Sequence, residues 1–191
     1  MRGDVAIAEG TSVYVNGQQL TVNKLLGRGK GGYSYLAERE GSLAVLKQIH
    51  HEPCAYYSFG NKIEAEERDY RRLLQTGIRI PLMLDIDTER ERIVKEYIAG
   101  STVLEMVIGG ASAEPFLPQV RAMAAQARAA GLNIDYFPSN FVVHGDLLYY
   151  IDYECNEYME EWNFENWGIK YWSRTPELED YCRQNGIELK C

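Results

Sequence analysis

Between two alternating, strand-like runs lies Gly27-Arg-Gly-Lys-Gly-Gly-Tyr33, and the surroundings of these glycines constrain the fold more than any other feature. Upstream, residues 12–15 and 18–22 flank Asn16-Gly17, a dipeptide suited to the positive φ angles of a two-residue hairpin. Downstream, residues 33–38 and 43–49 read as two more strands around a tight turn at Gly41-Ser42. The first fifty residues therefore predict an antiparallel β-meander with the glycines inside it. The spacing Gly27-x-Gly29-x-x-Gly32 is shared by several phosphate-binding loops, so its context must discriminate. A dinucleotide-binding loop needs a helix directly after the last glycine, its N-terminus facing pyrophosphate. Glu52 stands where an acidic ribose ligand would lie, yet strand and turn follow Gly32, which excludes that arrangement. A Walker-type loop needs Lys-Ser/Thr after its last glycine, and Tyr33-Ser34 stands there instead.

Past the meander, residues 61–76 place Ile63, Tyr70, Leu73 and Leu74 at helical spacing, with Gly77 as the stop. Two strands are expected at 82–86 and 92–98. Residues 115–130 predict an Ala-rich helix with Phe116, Val120, Met123, Ala124 and Ala127 on one face, ended by Gly131. Short strands at 141–144 and 147–151 bracket His144-Gly145-Asp146, and a last helix runs from about Pro176 to Asn185. Strands come first and helices later, which predicts an α+β protein in two lobes.

Within this frame, Ala44-Val45-Leu46-Lys47 puts a lysine inside a strand that reads as buried. A buried ammonium is costly unless it meets an anion. Glu64, Glu66 and Glu67 on the following helix are its candidate partners, and spacing does not choose among them. A glycine loop that closes a hairpin, followed by a strand lysine, is the arrangement by which protein kinases bring backbone amides against nucleotide phosphates.

At residues 132–154 the sequence resembles the protein-kinase-like superfamily. Asp135-x-x-x-x-Asn140 matches the spacing of its catalytic loop, and Ile151-Asp152-Tyr153-Glu154 stands in the place of Asp-Phe-Gly. The Ile-Asp-aromatic-Glu form is similar to small atypical kinases (RIO-like or Bud32-like) and to the aminoglycoside and choline phosphotransferases. Glu66, Leu73, Gly77 and Pro81 fit the family's helix frame, so the resemblance selects Glu66. Lys95-Glu96-Tyr97-Ile98-Ala99-Gly100 resembles the hinge whose backbone holds adenine. The likeness covers roughly residues 22–154, with its landmarks in order.

The resemblance implies a minimal bilobal fold. Residues 1–97 would form an N-lobe with an antiparallel sheet and one helix, and 98–191 a small, mostly helical C-lobe. It implies that ATP and Mg²⁺ are the cofactors. Gly27, Arg28, Gly29, Lys30, Gly31, Gly32, Lys47, Glu96, Tyr97 and Ile98 would bind the nucleotide, and Asn140 and Asp152 would hold the metal. Asp135 would receive the acceptor's proton, with Lys47 and Glu66 completing the catalytic set. The implied activity is transfer of the γ-phosphoryl group to a hydroxyl of a protein Ser/Thr or a small molecule. The alternative is a pseudokinase, a nucleotide-binding or interaction module.

Several residues depart from the family pattern. Asn133 stands where a histidine is usual, so the hydrogen bonds supporting the loop must differ. His144-Gly145-Asp146 imitates the His-Gly-Asp of the small-molecule phosphotransferases. Ile151, five residues past Asp146, carries no metal donor, so Asp146 reads as a turn residue. Tyr153-Glu154 in place of Phe-Gly argues against regulation by flipping of that segment. Thr175-Pro176-Glu177 reads as a helix start rather than as the Ala-Pro-Glu of an activation segment. The aromatic stretch Tyr158 to Trp172 is expected to be mainly core. Glu157, Glu160, Glu161 and Glu165 leave open an acceptor surface for a cation.

A net charge of −8 and a pI near 5.0 argue against nucleic acid as a partner, since a phosphate backbone requires a basic face. No apolar run approaches the roughly 18–20 residues that cross a bilayer. The first residues lack the apolar stretch of a signal peptide, so a cytoplasmic protein is expected. Cys54, Cys155, Cys182 and Cys191 form no Cys-x-x-Cys pair and read as reduced thiols. A monomer or weak dimer is expected, through the aromatic tail if at all.

Overall fold

The computed structural model describes residues 6–29, 31–51 and 61–190. Lys30, Glu52, Cys54 and Cys191 lie outside the described residues. The chain forms two compact units, one of residues 1–68 and 81–97, the other of residues 69–80 and 98–191.

The first unit is built on a six-stranded antiparallel sheet. Its strands are β1 (Ser12–Val15), β2 (Gln18–Arg28), β3 (Gly32–Arg39), β4 (Ser42–Ile49), β5 (Met83–Asp87) and β6 (Arg92–Glu96), in the order β1-β2-β3-β4-β6-β5. Asn16 and Gly17 take φ of 46° and 82°, the twisted hairpin geometry their side chains tolerate, and Glu40-Gly41 repeats it at 52° and 78°. Strand alternation sends Val13, Val15, Leu20, Val22, Tyr33, Tyr35, Ala37, Ala44, Leu46 and Val94 into one buried cluster. Lys47, next in β4 after Leu46, therefore points to the opposite face. Helix α1 (Lys62–Leu74) begins where the Asn61 side chain accepts the Glu64 N–H, and the turn after it closes at Gly77 with φ +77°.

The second unit is less helical than expected. Helices α2 (Val103–Ile108), α3 (Leu117–Ala129) and α4 (Pro176–Gln184) alternate with two small sheets. One sheet joins β7 (Ser101–Thr102), β9 (Phe141–His144) and β10 (Leu147–Tyr150), in the order β10-β9-β7. The other joins β8 (Leu132–Ile134) and β11 (Cys155–Glu157). Segments this short, rich in Asn, Gly and aromatic residues, close into turns rather than extending as helix. The sequence does not announce α2, which starts on a capping box between Thr102 and Glu105. Thr175 caps α4 by accepting the Leu178 N–H, with Pro176 in its first turn, as a helix start predicts. Cys155 and Cys182 are buried and form no disulfide among the described residues. Among the described residues no helix is long and apolar enough to cross a membrane.

The core of the second unit is aromatic. Trp172 meets Phe141 edge-on at 5.0 Å and Phe164 at 5.4 Å, while Phe164 meets Tyr136 at 5.8 Å. The Trp172 indole N–H donates to the Tyr136 carbonyl at 2.8 Å. Phe164 and Trp172 of the aromatic segment are thus core, packed against Tyr136 and Phe141, whereas Met159 and Trp162 are exposed, so the segment is less buried than expected. Gly168 is required there, since a Cβ on it would lie 2.5 Å from the Tyr136 Cβ and 2.9 Å from the Phe164 ring. Gly168→Ala is expected to cost about 1–3 kcal/mol by overpacking. Urea denaturation measures this, and an unchanged midpoint would show that the ring cluster yields freely.

Candidate active site

In the first unit, the glycine loop runs from the end of β2 to the start of β3. Gly27 pairs with Ser34 and Arg28 with Tyr33, after a bulge between Leu25 and Gly27. The Gly29 N–H closes the turn on the Gly32 carbonyl at 2.9 Å. Gly32 has no room for a side chain, because a Cβ would lie 2.5 Å from the Gln48 carbonyl oxygen of β4. The Arg28 guanidinium lies 5.6 Å over the Tyr33 ring. Its charge is thus engaged with an aromatic face as well as being available to the loop.

Lys47 forms an ion pair with Glu66 of α1, which resolves the choice that spacing left open. Glu64 is exposed and Glu67 half-buried. The Lys47 and Glu66 side chains are only 12% and 15% exposed, so the pair is substantially shielded from water. Gly31 lies over it: a Cβ there would stand 3.7 Å from Glu66 Oε1 and 4.0 Å from Lys47 Nζ. Glu66 Oε2 is buried with no hydrogen-bond partner among the described residues. An unsatisfied buried carboxylate oxygen is costly and calls for a hydrogen-bond donor, such as a water, to complete it.

His50 is a site residue that sequence reasoning missed. Buried at the end of β4, it donates its backbone N–H to the Gly31 carbonyl at 3.3 Å, and its Nε2 lies 3.0 Å from the Gly29 carbonyl. Because that acceptor is a carbonyl, Nε2 carries the proton. The His50 carbonyl in turn accepts Lys62 Nζ at 2.6 Å. This chain of bonds holds the glycine loop from β4 and α1. The sequence signal was weak: a polar residue following the apolar run of a strand.

Glu96 ends β6, where its N–H donates to the Leu82 carbonyl at 2.9 Å and its Oε2 accepts the Leu82 N–H at 3.1 Å. Tyr97 and Ile98 are half-buried, and the two units divide between them.

In the second unit, Asp135 follows β8. Its Oδ1 accepts the Phe137 N–H at 3.0 Å, which orients the carboxylate. Asn140 closes the same loop, its Nδ2 donating to the Asp135 carbonyl at 3.4 Å. The Asn140 carbonyl accepts the Ile151 N–H at 2.8 Å, which brings Asn140 alongside Asp152. Asp152 Oδ1 accepts the N–H of Tyr153 at 2.8 Å. Phe137 packs against Tyr171 at 5.2 Å and Tyr181 at 4.7 Å, so the loop is clamped by rings on this side as well. Tyr153 is fully buried against Tyr70, ring centroids 4.8 Å apart.

Tyr150 joins these pieces. Burial first, then the charges of Asp152, Asp135 and Glu154, push its pKa well above the usual value near 10, so its hydroxyl stays protonated. Burial likewise pushes Tyr136 up to about 12. Asn133 is buried, donates to the Met159 carbonyl at 2.8 Å and leaves its Oδ1 unpartnered among the described residues.

Two sequence readings change in weight. Gly145-Asp146 is the turn of the β9–β10 hairpin, with Gly145 at φ +58° and the Asp146 carbonyl accepting Gln119 Nε2 at 2.7 Å. In the aromatic segment, Glu157 pairs with Arg72 at 2.6 Å, Glu165 with Arg121 at 2.7 Å and Glu160 with Arg128 at 3.8 Å. Those carboxylates are spent on this chain's own arginines, which weakens the case for a surface that binds a cationic acceptor.

Removing Glu66 tests the shielded pair. Glu66→Ala is expected to lower stability by on the order of 2 kcal/mol, less than the ~3–5 kcal/mol of a fully buried pair, while Glu64→Ala changes little. Chemical denaturation checks this, and equal effects at the two positions would contradict the pairing.

No family model matches the sequence, and no curated protein matches it. In structure the chain matches 1289 solved chains. One of them, described as the crystal structure of BubR1 kinase domain, aligns with TM-score 0.56 at 15% identity, over 79% of this chain and 51% of that one. The chain thus spans about half the length of that structure. What the match establishes is the fold: an α+β, protein-kinase-like fold.

Proposed function

We propose that the chain is an ATP-dependent phosphotransferase with a minimal bilobal architecture, its lobes being residues 1–97 and 98–191. It transfers the γ-phosphoryl group to a hydroxyl of a protein Ser/Thr or a small molecule. The observation that carries the reading is the shielded Lys47–Glu66 ion pair lying beneath the glycine loop. A lysine held in a shielded place beneath backbone amides suits phosphate oxygens that arrive with a ligand. The Ile151-Asp152-Tyr153-Glu154 form supports a relation to the small atypical kinases and the small-molecule phosphotransferases rather than to the ordinary protein kinases.

The donor set fits Mg²⁺. Asn140 and Asp152 offer hard oxygen atoms, and a magnesium site of this kind needs only one or two protein ligands besides water and phosphate. When bound, Mg²⁺ neutralises charge on the phosphate oxygens. In this reading Lys47 holds the α- and β-phosphates, and the amides of residues 27–32 approach them closely because glycine side chains are absent. Backbone at Glu96–Ile98 receives the adenine. Asp135, its carboxylate oriented by the Phe137 N–H, accepts the proton of the acceptor hydroxyl. That oxygen forms a bond to the γ-phosphorus as the bond to the β,γ-bridging oxygen breaks, leaving ADP. Such chemistry is mainly positioning and electrostatic stabilisation, which two preorganised groups of residues supply.

Transfer or hydrolysis of γ-labelled ATP with Mg²⁺ is the test, comparing wild type with Asp135→Asn and Asp152→Asn. Both substitutions are expected to lower turnover by roughly 10²-fold or more, with ATP still bound by Asp135→Asn. Nucleotide binding without turnover, across protein and small-molecule acceptors, would favour a binding module instead. Turnover that survives Asp135→Asn but is lost in Asp146→Asn would move the base to the hairpin turn.

A further inference from the structure

The loop carrying Asp135 and the segment carrying Asp152 meet at one buried hydroxyl. Tyr150 Oη accepts the Asp135 N–H at 3.3 Å and donates to the Glu154 carbonyl at 2.7 Å. A single atom thereby spans the backbone on either side of the candidate base and the candidate metal ligand. The ring that carries it is itself immobilised. It is fully buried, packs against Phe141 at 5.2 Å, and its own N–H donates to the Arg79 carbonyl at 2.9 Å. Phe141 continues into the Trp172 cluster, so the hydroxyl is set by packing and is not a free rotor.

Asn133 stands at the position where the family resemblance leads one to expect a histidine. Its amide donor is directed to Met159, outside the 152–154 segment. Backbone pairing of Ile134 with Cys155 and the Ile151 N–H on the Asn140 carbonyl join the flanks of the two segments, and Tyr150 adds a side-chain tie at Asp135 itself. A phenylalanine would fill the same volume and lose only the two hydrogen bonds. The hydroxyl thus has a purpose separable from packing.

We propose that Tyr150 is a positioning residue, whose hydroxyl locks the backbone of Asp135 to the 152–154 segment and so keeps base and metal ligand in register. The proposal deepens the phosphotransferase reading and rests on it for its catalytic meaning. The tie itself is a property of the fold that can be measured without turnover.

The experiment compares wild type, Tyr150→Phe and the neighbouring control Tyr149→Phe. It reads amide hydrogen exchange at Asp135 by NMR, and kcat and KM for Mg-ATP. The wild-type Asp135 amide is expected to be protected. Tyr150→Phe is expected to speed its exchange and lower kcat, each about ten-fold or more, with the KM for ATP unchanged. Tyr149→Phe should alter neither. Unchanged exchange and kcat in Tyr150→Phe, or faster exchange with kcat intact, would overturn the positioning role. If the wild type shows no turnover, the phosphotransferase reading fails, and exchange at Asp135 alone decides whether the tie exists. If Tyr150→Phe does not fold, rapid exchange of the Asp135 amide in the wild type would still refute the proposal, and protection would support it.

Discussion

The packing of Trp172 against Phe141 and Phe164 is what the rest of the second unit depends on. Those rings, with Tyr136 and Tyr150, form a continuous buried cluster from the aromatic tail to β9 and β10. Each edge-on pair is worth about 0.5–1.5 kcal/mol beyond the area it buries. The larger effect is geometric. Tyr136 and Phe141 bracket the loop that carries Asp135 and Asn140, and the Trp172 indole holds the Tyr136 carbonyl. Asp135 and Asn140 are held because Tyr136 and Phe137 between them pack against Phe164, Tyr171 and Tyr181. The tail therefore acts as a buttress for the candidate site, and that accounts for its unusual composition better than an acceptor surface does.

The first unit solves a different problem. Its sheet buries one apolar face, and on the opposite face β4 must accommodate a lysine. The Lys47–Glu66 pair makes that possible, and the glycines above it leave space where side chains would otherwise pack. His50 then holds the loop through the carbonyls of Gly29 and Gly31. An acidic chain of net charge −8 can hold phosphate only if its cations are local and shielded from competing carboxylates. Lys47, shielded from solvent beneath a backbone loop and placed by Glu66, is a local cation of that kind.

Sequence periodicity located most elements to within a residue or two, although β2, expected at 18–22, continues to Arg28 and takes in the first of the loop glycines. Hairpin turns were legible because Asn16-Gly17 has few conformations open to it, and helix ends because Gly77 and Thr175 act on their own neighbours. Less was visible in the second half. α2 carries no long apolar stripe, and strands of two or three residues such as β7, β8 and β11 give no period to read. The second unit is less helical than the family likeness implied, since its aromatic stretch folds as successive turns.

For the candidate site the division has the same origin. The glycine loop inside a meander, the strand lysine, and the five-residue step from Asp135 to Asn140 are local patterns, and the sequence by itself determined them through backbone sterics and side-chain chemistry. Spacing left open which glutamate meets Lys47 and the family resemblance selected Glu66, the one that pairs; only the tertiary structure decided that His50 holds the glycine loop and that Tyr150 joins Asp135 to Glu154. It also decided that Glu157, Glu160 and Glu165 are answered by arginines far away in the chain. These outcomes turn on which of several chemically equivalent groups arrives first within hydrogen-bond reach. Spacing along a chain cannot rank them, because the packing of distant apolar residues sets the distances.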